Sequence, residues 1–273
     1  MSKFINPFTD YGFKLIFGRE VSKILLIEFL NDLLEGERVI TDLTFLNNEQ
    51  LPDYPEGRGI IYDVYCTTDT GEKIIVEMQN RMQSNFKERS IFYLSRAIVN
   101  QGRTGHDWKF EIKAVYGVFL MNFIMDKNIK LRTDVILADK ETGELFSEKF
   151  RQIFIALPLF KKSEEECETN FERWIYILNN METLKRMPFK ARKAVFEKLE
   201  DIADVASMSP EDRERYDNSV KVYRDYLVTM DAAEQKGAQE TQLKIARNMK
   251  AKGIDNESIA ECTDLPLSII EGL

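Results

Sequence analysis

Two neighbouring stretches of sequence decide the fold: Ile60-Ile61-Tyr62-Asp63-Val64-Tyr65-Cys66 and Lys73-Ile74-Ile75-Val76-Glu77-Met78-Gln79. Both are rich in the β-branched and aromatic residues that favour strands. Between them, Asp69-Thr70-Gly71 suits a three-residue hairpin loop with glycine in the left-handed position. The sequence therefore predicts two antiparallel strands joined by a tight turn.

The register of this hairpin can be counted from its loop. If Thr68 pairs with Glu72, Asp63 lies directly opposite Glu77. Directly opposed residues share one face of a sheet, with Cβ atoms about 5 Å apart. Gln79, two residues beyond Glu77, points to that same face.

Two opposed carboxylates among Ile, Val and Tyr residues repel each other and are costly to bury. A hard divalent cation bound between Asp63 and Glu77 would remove this conflict, and Mg²⁺ favours one or two carboxylates completed by water and phosphate oxygens. The alternative is a register shifted by one residue, in which one acid simply faces solvent. The spacing alone leaves both interpretations open.

The elements around the hairpin predict a mixed sheet with helices packed against it. Apolar residues at helical spacing predict a helix over 21–35, with Gly36 as its stop. A second helix is expected over 85–101, capped by Ser84 or Asn85. Strands are predicted near 38–46, 60–68, 73–80, 111–121, 131–138 and 151–157.

The second half of the chain is predicted to be helical, since no glycine occurs from residue 144 to 236. Ser209-Pro210-Glu211-Asp212 has the cap, proline and acidic first turn of a helix start. A seam with spacings of 4, 3, 4 and 3 follows, formed by Tyr216, Val220, Tyr223, Leu227 and Met230. It predicts either a homodimer contact through the C-terminal helices or a face packed against its own chain.

The tail from residue 241 to 273 is similar to a small helix-turn-helix. A DNA-reading helix carries Arg, Lys, Asn or Gln toward base edges, but the last helix expected here, near 266–272, has none. We therefore favour a packing or protein-contact role for the tail. The chain is expected to divide into parts spanning residues 1–160, 161–236 and 237–273.

The net charge of −8 provides no general attraction for a polyanion, so any DNA contact requires a local basic patch. Residues 81–113 carry such a patch, with seven basic and three acidic residues. Lys87, Arg89 and Arg96 are the candidate DNA contacts on the predicted helix. The alternative is an ordinary solvated helix face.

Cysteine and histidine usage excludes several classes of function. The three cysteines are far apart, which argues against a disulfide framework and a thiolate zinc site. His106 is the only histidine and lies in a glycine-rich stretch expected to be a loop, so serine and cysteine hydrolases are poor candidates. No signal peptide or long apolar run is found, and we expect a cytoplasmic protein without a membrane partner.

Asp63 followed by Glu77-Met78-Gln79 resembles the catalytic pattern of the PD-(D/E)XK nuclease superfamily. The order helix, three strands, helix, strand is that of the superfamily core. The opening Phe8-Thr9-Asp10-Tyr11-Gly12-Phe13-Lys14-Leu15-Ile16-Phe17-Gly18 and the run Val76-Glu77-Met78-Gln79-Asn80 resemble the Rpn branch. These are bacterial recombination-promoting nucleases often labelled as transposases.

The resemblance implies an α/β PD-(D/E)XK nuclease-like domain over residues 1–160 that cleaves phosphodiester bonds of DNA with Mg²⁺ or Mn²⁺. Asp63 and Glu77 would hold the metal, with the Met78 carbonyl as a third ligand. Gln79 stands where a lysine is usual in the superfamily, so it can orient a water but brings no positive charge.

Two further acids follow from the same resemblance. Asp10, in the opening segment that precedes the first predicted helix, is expected to assist at the active site. Glu28 on that helix is a candidate additional metal ligand. The alternative function is a catalytically inactive protein that keeps the nuclease fold as a DNA-binding or protein-interaction module.

Overall fold

The computed structural model describes residues 2–51, 59–103 and 108–273, so His106 lies outside the described residues. The chain forms two compact units, the first ending at Ser219 and the second comprising Val220–Leu273. In the described residues, no helix has both the length and the apolar character needed to span a membrane.

The first unit is built on a mixed six-stranded sheet with the strand order β1-β4-β5-β6-β8-β7. Its strands are β1 (Leu43–Phe45), β4 (Val64–Thr68), β5 (Lys73–Gln79), β6 (Val115–Met121), β7 (Arg132–Ala138) and β8 (Leu145–Ala156). The pairs β5–β6 and β6–β8 are parallel, and the other pairs are antiparallel. A separate two-stranded ribbon pairs β2 (Glu49–Gln50) with β3 (Ile60–Ile61).

Helices flank the sheet and form the C-terminal region, as predicted. They are α1 (Asp10–Phe17), α2 (Lys23–Leu33), α3 (Phe86–Val99), α4 (Asn170–Asn180), α5 (Val195–Ala203), α6 (Pro210–Ala251), α7 (Asn256–Thr263) and α8 (Leu267–Glu271). Asn85 precedes α3, although its side chain makes no capping hydrogen bond. The predicted fold class, a mixed sheet flanked by helices with a helical C-terminal region, is confirmed.

Buried residues on both faces of β5 show that the sheet is covered on both sides. Ile75 packs in a cluster that includes Phe86 and Leu94 of α3, while Ile74 and Val76 are buried on the opposite face. The helices α1, α2, α4 and α5 share an aromatic cluster centred on the fully buried Trp174. The carboxylate-bearing strand β5 is thus held in the middle of the core.

The prediction that Asp10, Phe13 and Lys14 precede the first helix is wrong, because they lie within α1. Thr9 caps this helix by accepting from the backbone N–H of Gly12 (3.0 Å). A Cβ at residue 12 would lie 2.2 Å from the carbonyl oxygen of Asn6, so only glycine fits there. Thr9 and Gly12 of the opening motif therefore form the start of the short helix α1.

The start of α6 at the predicted serine cap is confirmed, since the N–H of Asp212 donates to the Ser209 hydroxyl (3.1 Å). Tyr216 is buried in the first unit, where its hydroxyl accepts from the N–H of Asn6 (2.8 Å). Leu227 and Met230 are 45% and 44% exposed. The first residue of the seam thus packs within its own chain, and a dimer contact through the others stays a prediction.

The second unit has a small apolar core. Ile259 of α7 and Ile270 of α8 are fully buried with Ala246 of α6. The N–H of Ser258 donates to Asp255, which caps α7 (2.8 Å), and Lys250 donates to the Ile270 carbonyl (2.7 Å). The three-part division of the chain at 160 and 236 stays a prediction.

Candidate metal centre

The hairpin of β4 and β5 has the predicted register. Val64 pairs with Val76, and the N–H of Thr68 donates to the Glu72 carbonyl (2.9 Å). Gly71 has a φ of 93°, the left-handed conformation expected of the loop glycine. One step beyond the Val64–Val76 pair, Asp63 therefore lies opposite Glu77.

Each carboxylate is fixed by the strand that faces it. The N–H of Asp63 donates to Glu77 Oε1 (3.1 Å), and the N–H of Met78 donates to Asp63 Oδ2 (2.9 Å). The side-chain amide of Gln79 donates to the other Glu77 oxygen (3.0 Å). The two acids and Gln79 are thus brought together on one face, as their spacing predicted.

The carboxylate pair lies in a poorly solvated place. Glu77 is 1% exposed, and the neighbouring Tyr62 is fully buried. Burial and then the charge of Asp63 raise the pKa of Glu77, while burial raises the pKa of Asp63 against the opposing N–H of Met78. Among the described residues neither acid forms an ion pair, so the negative charge of the pair is not compensated by a contacting cation.

The donor set fits a hard divalent cation. Asp63 and Glu77 provide carboxylate oxygens, the ligands that Mg²⁺ prefers together with water and phosphate oxygens. Over the described ranges, there is no group of three or more His, Cys, Asp or Glu side chains arranged to hold a metal. A cation here would therefore rely on two protein carboxylates and leave coordination positions for water and substrate.

Asp10 and Lys14 of α1 border the carboxylate pair. They form an ion pair with each other (2.6 Å), and Lys14 lowers the pKa of Asp63 whereas Asp10 raises it. The side-chain amide of Asn80, at the end of β5, donates to the Phe8 carbonyl (2.6 Å) and ties the opening segment to this strand. Asp10 is mostly exposed and makes its contact with Lys14 rather than with Asp63 or Glu77.

Of the three predicted DNA contacts, Arg89 on α3 is the one whose charge acts on both hairpin acids. It lowers the pKa of both Asp63 and Glu77. Its guanidinium donates to the Tyr93 hydroxyl (2.9 Å) and to Gln83 (3.1 Å). It also lies over the Tyr93 ring, 4.9 Å from the centroid. The arginine is therefore held in a defined position beside the pair.

The other two predicted DNA contacts lie elsewhere on α3. Lys87 forms an ion pair with Asp126 (2.9 Å), in a surface region away from the hairpin acids. Arg96 donates to the Leu51 carbonyl (2.8 Å). Lys87 and Arg96 are thus each engaged with another part of the chain, and a single DNA-binding patch over 81–113 stays a prediction.

Glu28, considered as an extra metal ligand, is paired with Lys193 (2.7 Å) and does not join the carboxylate pair. Conversely, Asn48 was not expected at the site. Its side-chain amide donates to the Asp63 carbonyl (3.0 Å), and its own carbonyl accepts from the N–H of Tyr62 (3.0 Å). The sequence around Asn48 contains no signal for this role, because the contact depends on how β2 and β3 pair.

Comparison with known proteins assigns the chain to a family. No match is found among curated proteins or among solved structures. A family model described as PD-(D/E)XK nuclease family transposase matches residues 7–233, which include α1, the hairpin acids and most of the helical region. The chain therefore belongs to the PD-(D/E)XK nuclease family transposases.

Proposed function

We propose that the protein is a metal-dependent DNA endonuclease in which Asp63 and Glu77 hold Mg²⁺ or Mn²⁺. The observation that carries this proposal is a pair of opposed carboxylates, Glu77 buried and Asp63 half-buried, without a contacting cation among the described residues. Family membership supports a nuclease or mobile-element role in general. We add to this role the metal ion, the phosphodiester bond of DNA as the bond cleaved, and Asp63 and Glu77 as the metal ligands.

Asp63 and Glu77 are the metal ligands in this proposal. A bound divalent cation would lower the pKa of a coordinated water and stabilise negative charge on the phosphate under attack. The protein keeps both carboxylates oriented through the N–H groups of Asp63 and Met78. Because these donors belong to the paired strands, the ligand geometry is set before any substrate binds.

Gln79 positions water rather than supplying charge. Its amide nitrogen donates to Glu77, which leaves its carbonyl oxygen as an acceptor for a water beside the pair. The positive charge near the acids comes instead from Arg89 and Lys14. We assign Arg89 to phosphate contact, since a guanidinium can bind phosphate oxygens bidentately. Asp10 assists by holding Lys14.

The direct test is nicking of supercoiled plasmid DNA by the full chain with Mg²⁺ or Mn²⁺. Wild type is expected to nick, whereas Asp63→Ala and Glu77→Gln lose activity and addition of EDTA abolishes it. Glu214→Gln, which removes an exposed carboxylate on α6, is the matched control and keeps full activity. A wild-type protein that never cuts under either metal would refute the proposal.

The second candidate is an inactive module that keeps the nuclease fold to bind DNA or a protein. The observation that favours it is Gln79, which brings no charge where the superfamily pattern has a lysine. In that case wild type retards DNA in a gel but leaves it uncut, and Asp63→Ala changes neither result.

A further inference from the structure

An open groove lies at the other end of β5 from the carboxylate pair, with a cavity volume of about 840 Å³. Lys73, the first residue of β5, lines it and lies four residues before Glu77 on the same face of the strand. The two residues are therefore about 13 Å apart along the sheet. The groove also borders Asn100 at the end of α3, the helix that carries Arg89.

The groove carries an excess of positive charge. Four basic residues line it in the described part of the chain: Lys73, Arg103, Lys113 and Lys149. Glu111 is the one acidic residue that lines it in the described part of the chain, and there none of the four cations forms an ion pair. Burial lowers the pKa of Lys73 because its charge is poorly solvated. An anionic ligand would supply the missing opposite charge.

Two aromatic rings stand beside these cations. The ring centroids of Trp108 and Phe110 are 4.7 Å apart, and Phe110 is 77% exposed. Phe110 also has a φ of 57°, a left-handed conformation that is unfavourable for a residue with a side chain. Phe110 thus combines an exposed phenyl ring with a strained backbone, and Trp108 is its only ring partner among the described residues.

The segment that carries the rings is fixed to the end of α3. Gln101 accepts from the N–H of Lys113 (2.8 Å), and its amide donates to the Lys113 carbonyl (3.2 Å). The N–H of Ile112 donates to the Phe110 carbonyl (2.9 Å). These hydrogen bonds hold Phe110 outward and place Lys113 in the groove. The positions of Phe110 and Lys113 are therefore fixed by the backbone hydrogen bonds of this segment.

We propose that this basic–aromatic groove binds single-stranded DNA, with an unpaired base stacked on Trp108 and Phe110 and the backbone phosphates on the four cations. Aromatic platforms within a positively charged groove are the general means of holding single strands, because every base has a face that can stack. A duplex does not offer that face. The proposal rests on the proposed nuclease function only in naming DNA, and it places the bound strand within reach of α3 and the carboxylate pair.

The first test uses intrinsic fluorescence of the full chain in EDTA. The chain has two tryptophans, and Trp174 is fully buried. Oligothymidylate of about 16 nucleotides, the upper end of single-strand site sizes, is expected to quench Trp108. Trp108→Phe should remove the quenching while fluorescence anisotropy of a labelled oligonucleotide still reports binding. Absence of quenching in wild type would overturn the proposal.

The second test is Phe110→Gly. Glycine adopts a positive φ without penalty, so this variant should melt at the same temperature as wild type or higher. Its affinity for the oligonucleotide is expected to fall roughly 5- to 100-fold with the loss of one stacking ring. Phe146→Ala, which removes an 82% exposed ring on β8, is the matched control and keeps wild-type affinity. Unchanged affinity in Phe110→Gly would overturn the proposal.

The charge contribution is tested by salt titration. Lys113→Gln and Lys149→Gln should each lower the dependence of log affinity on log salt by about 0.7, whereas Lys198→Gln on α5 leaves it unchanged. A duplex of the same length should compete weakly, and equal competition would overturn the single-strand assignment.

Because binding is measured without metal, Asp63→Ala should bind normally. A wild-type chain that shows the quenching but never nicks DNA with Mg²⁺ or Mn²⁺ would reject the nuclease proposal alone.

Discussion

Two clusters of acidic residues in the first unit differ in whether basic side chains contact them. Glu37 and Asp134 lie between Arg132 and Arg151, which donate to both acids, with Nε to Asp134 distances of 2.8 Å for each arginine. The hydrogen bond from Arg151 lowers the pKa of Glu37. Burial tends to raise the pKa of Asp134, but the hydrogen bonds from the two arginines outweigh it and lower that pKa.

Asp63 and Glu77 receive backbone and amide donors but no contacting cation among the described residues, and their pKa values are raised. Arginines thus contact both Glu37 and Asp134, whereas among the described residues no arginine contacts Asp63 or Glu77. Leaving the buried Glu77 carboxylate opposite a second carboxylate without a contacting cation lowers stability. The difference supports the proposal that a bound divalent cation supplies the contacting positive charge at the hairpin.

The largest expected effect is on catalysis. Glu77→Gln keeps the size of the side chain but halves the negative charge of the pair, so nicking should fall by at least about 10²–10³-fold. Asp134→Asn, the same change in the arginine-paired cluster, should leave nicking within about twofold at a temperature where both variants are folded. Similar losses in the two variants would break the contrast between the clusters.

The second effect is the pH dependence of stability without metal. Because the folded-state pKa of Glu77 is raised, its contribution is fully present below its ordinary value of 4.5 and is lost as pH rises toward the folded value. A tenfold difference in proton affinity between the folded and unfolded states corresponds to about 1.4 kcal/mol. The metal-free protein should therefore lose on the order of a few kcal/mol of unfolding free energy between mildly acidic and mildly alkaline pH.

Thermal unfolding in EDTA across this pH range measures the effect. Glu77→Gln should flatten the profile and melt higher than wild type at alkaline pH. Excess Mg²⁺ should restore wild-type stability there, by about 2.7 kcal/mol when the ion is at 100 times its Kd. A wild-type melting temperature that rises with pH over this range would contradict the account.

The arginine-paired cluster should show the opposite sign and a smaller effect. The folded-state pKa of Asp134 is lowered, so its contribution is present above its ordinary value of 3.8 and is lost as pH falls below it. Asp134→Asn should cost about 1 kcal/mol of unfolding free energy at neutral pH, since the network is partly exposed. Chemical denaturation of the variant and of wild type at neutral and acidic pH gives the comparison.

The smallest effect concerns Arg89, which lowers the pKa of both hairpin acids from a distance. Arg89→Gln should slow nicking up to about fivefold, the equivalent of about 1 kcal/mol, and Arg89→Lys should recover part of it. Lys87→Gln removes a charge whose partner is Asp126 and should leave the rate unchanged. Equal rates in the two glutamine variants would remove Arg89 from the site.

The hairpin could be predicted from the sequence because its cause is local. A loop with glycine at Gly71 and the two-residue period of β-strands fix which side chains oppose each other. Asp63, Glu77 and Gln79 were therefore placed on one face correctly. By contrast, α1 was missed because it is short and begins where Gly12 is packed against the Asn6 carbonyl, a contact that helical periodicity does not reveal.

The surface could be predicted less well than the hairpin. Counting charges over 81–113 predicts a basic patch but does not show that Lys87 pairs with Asp126 while Arg89 lies beside the acids. The aromatic groove was not predicted, because the exposure of Phe110 depends on Gln101 binding the backbone of Lys113. The partner of a charged side chain on a helix depends on tertiary contacts, and these cannot be predicted from amino-acid composition.

The most direct measurement is the position of Mn²⁺ in a crystal of the full chain soaked with that ion, located by its anomalous scattering. We expect a peak within coordination distance of both the Asp63 and Glu77 carboxylates, and no such peak in Glu77→Gln. A saturating soak that leaves the space between the two carboxylates without a peak, or that places the ion on neither, would contradict this expectation.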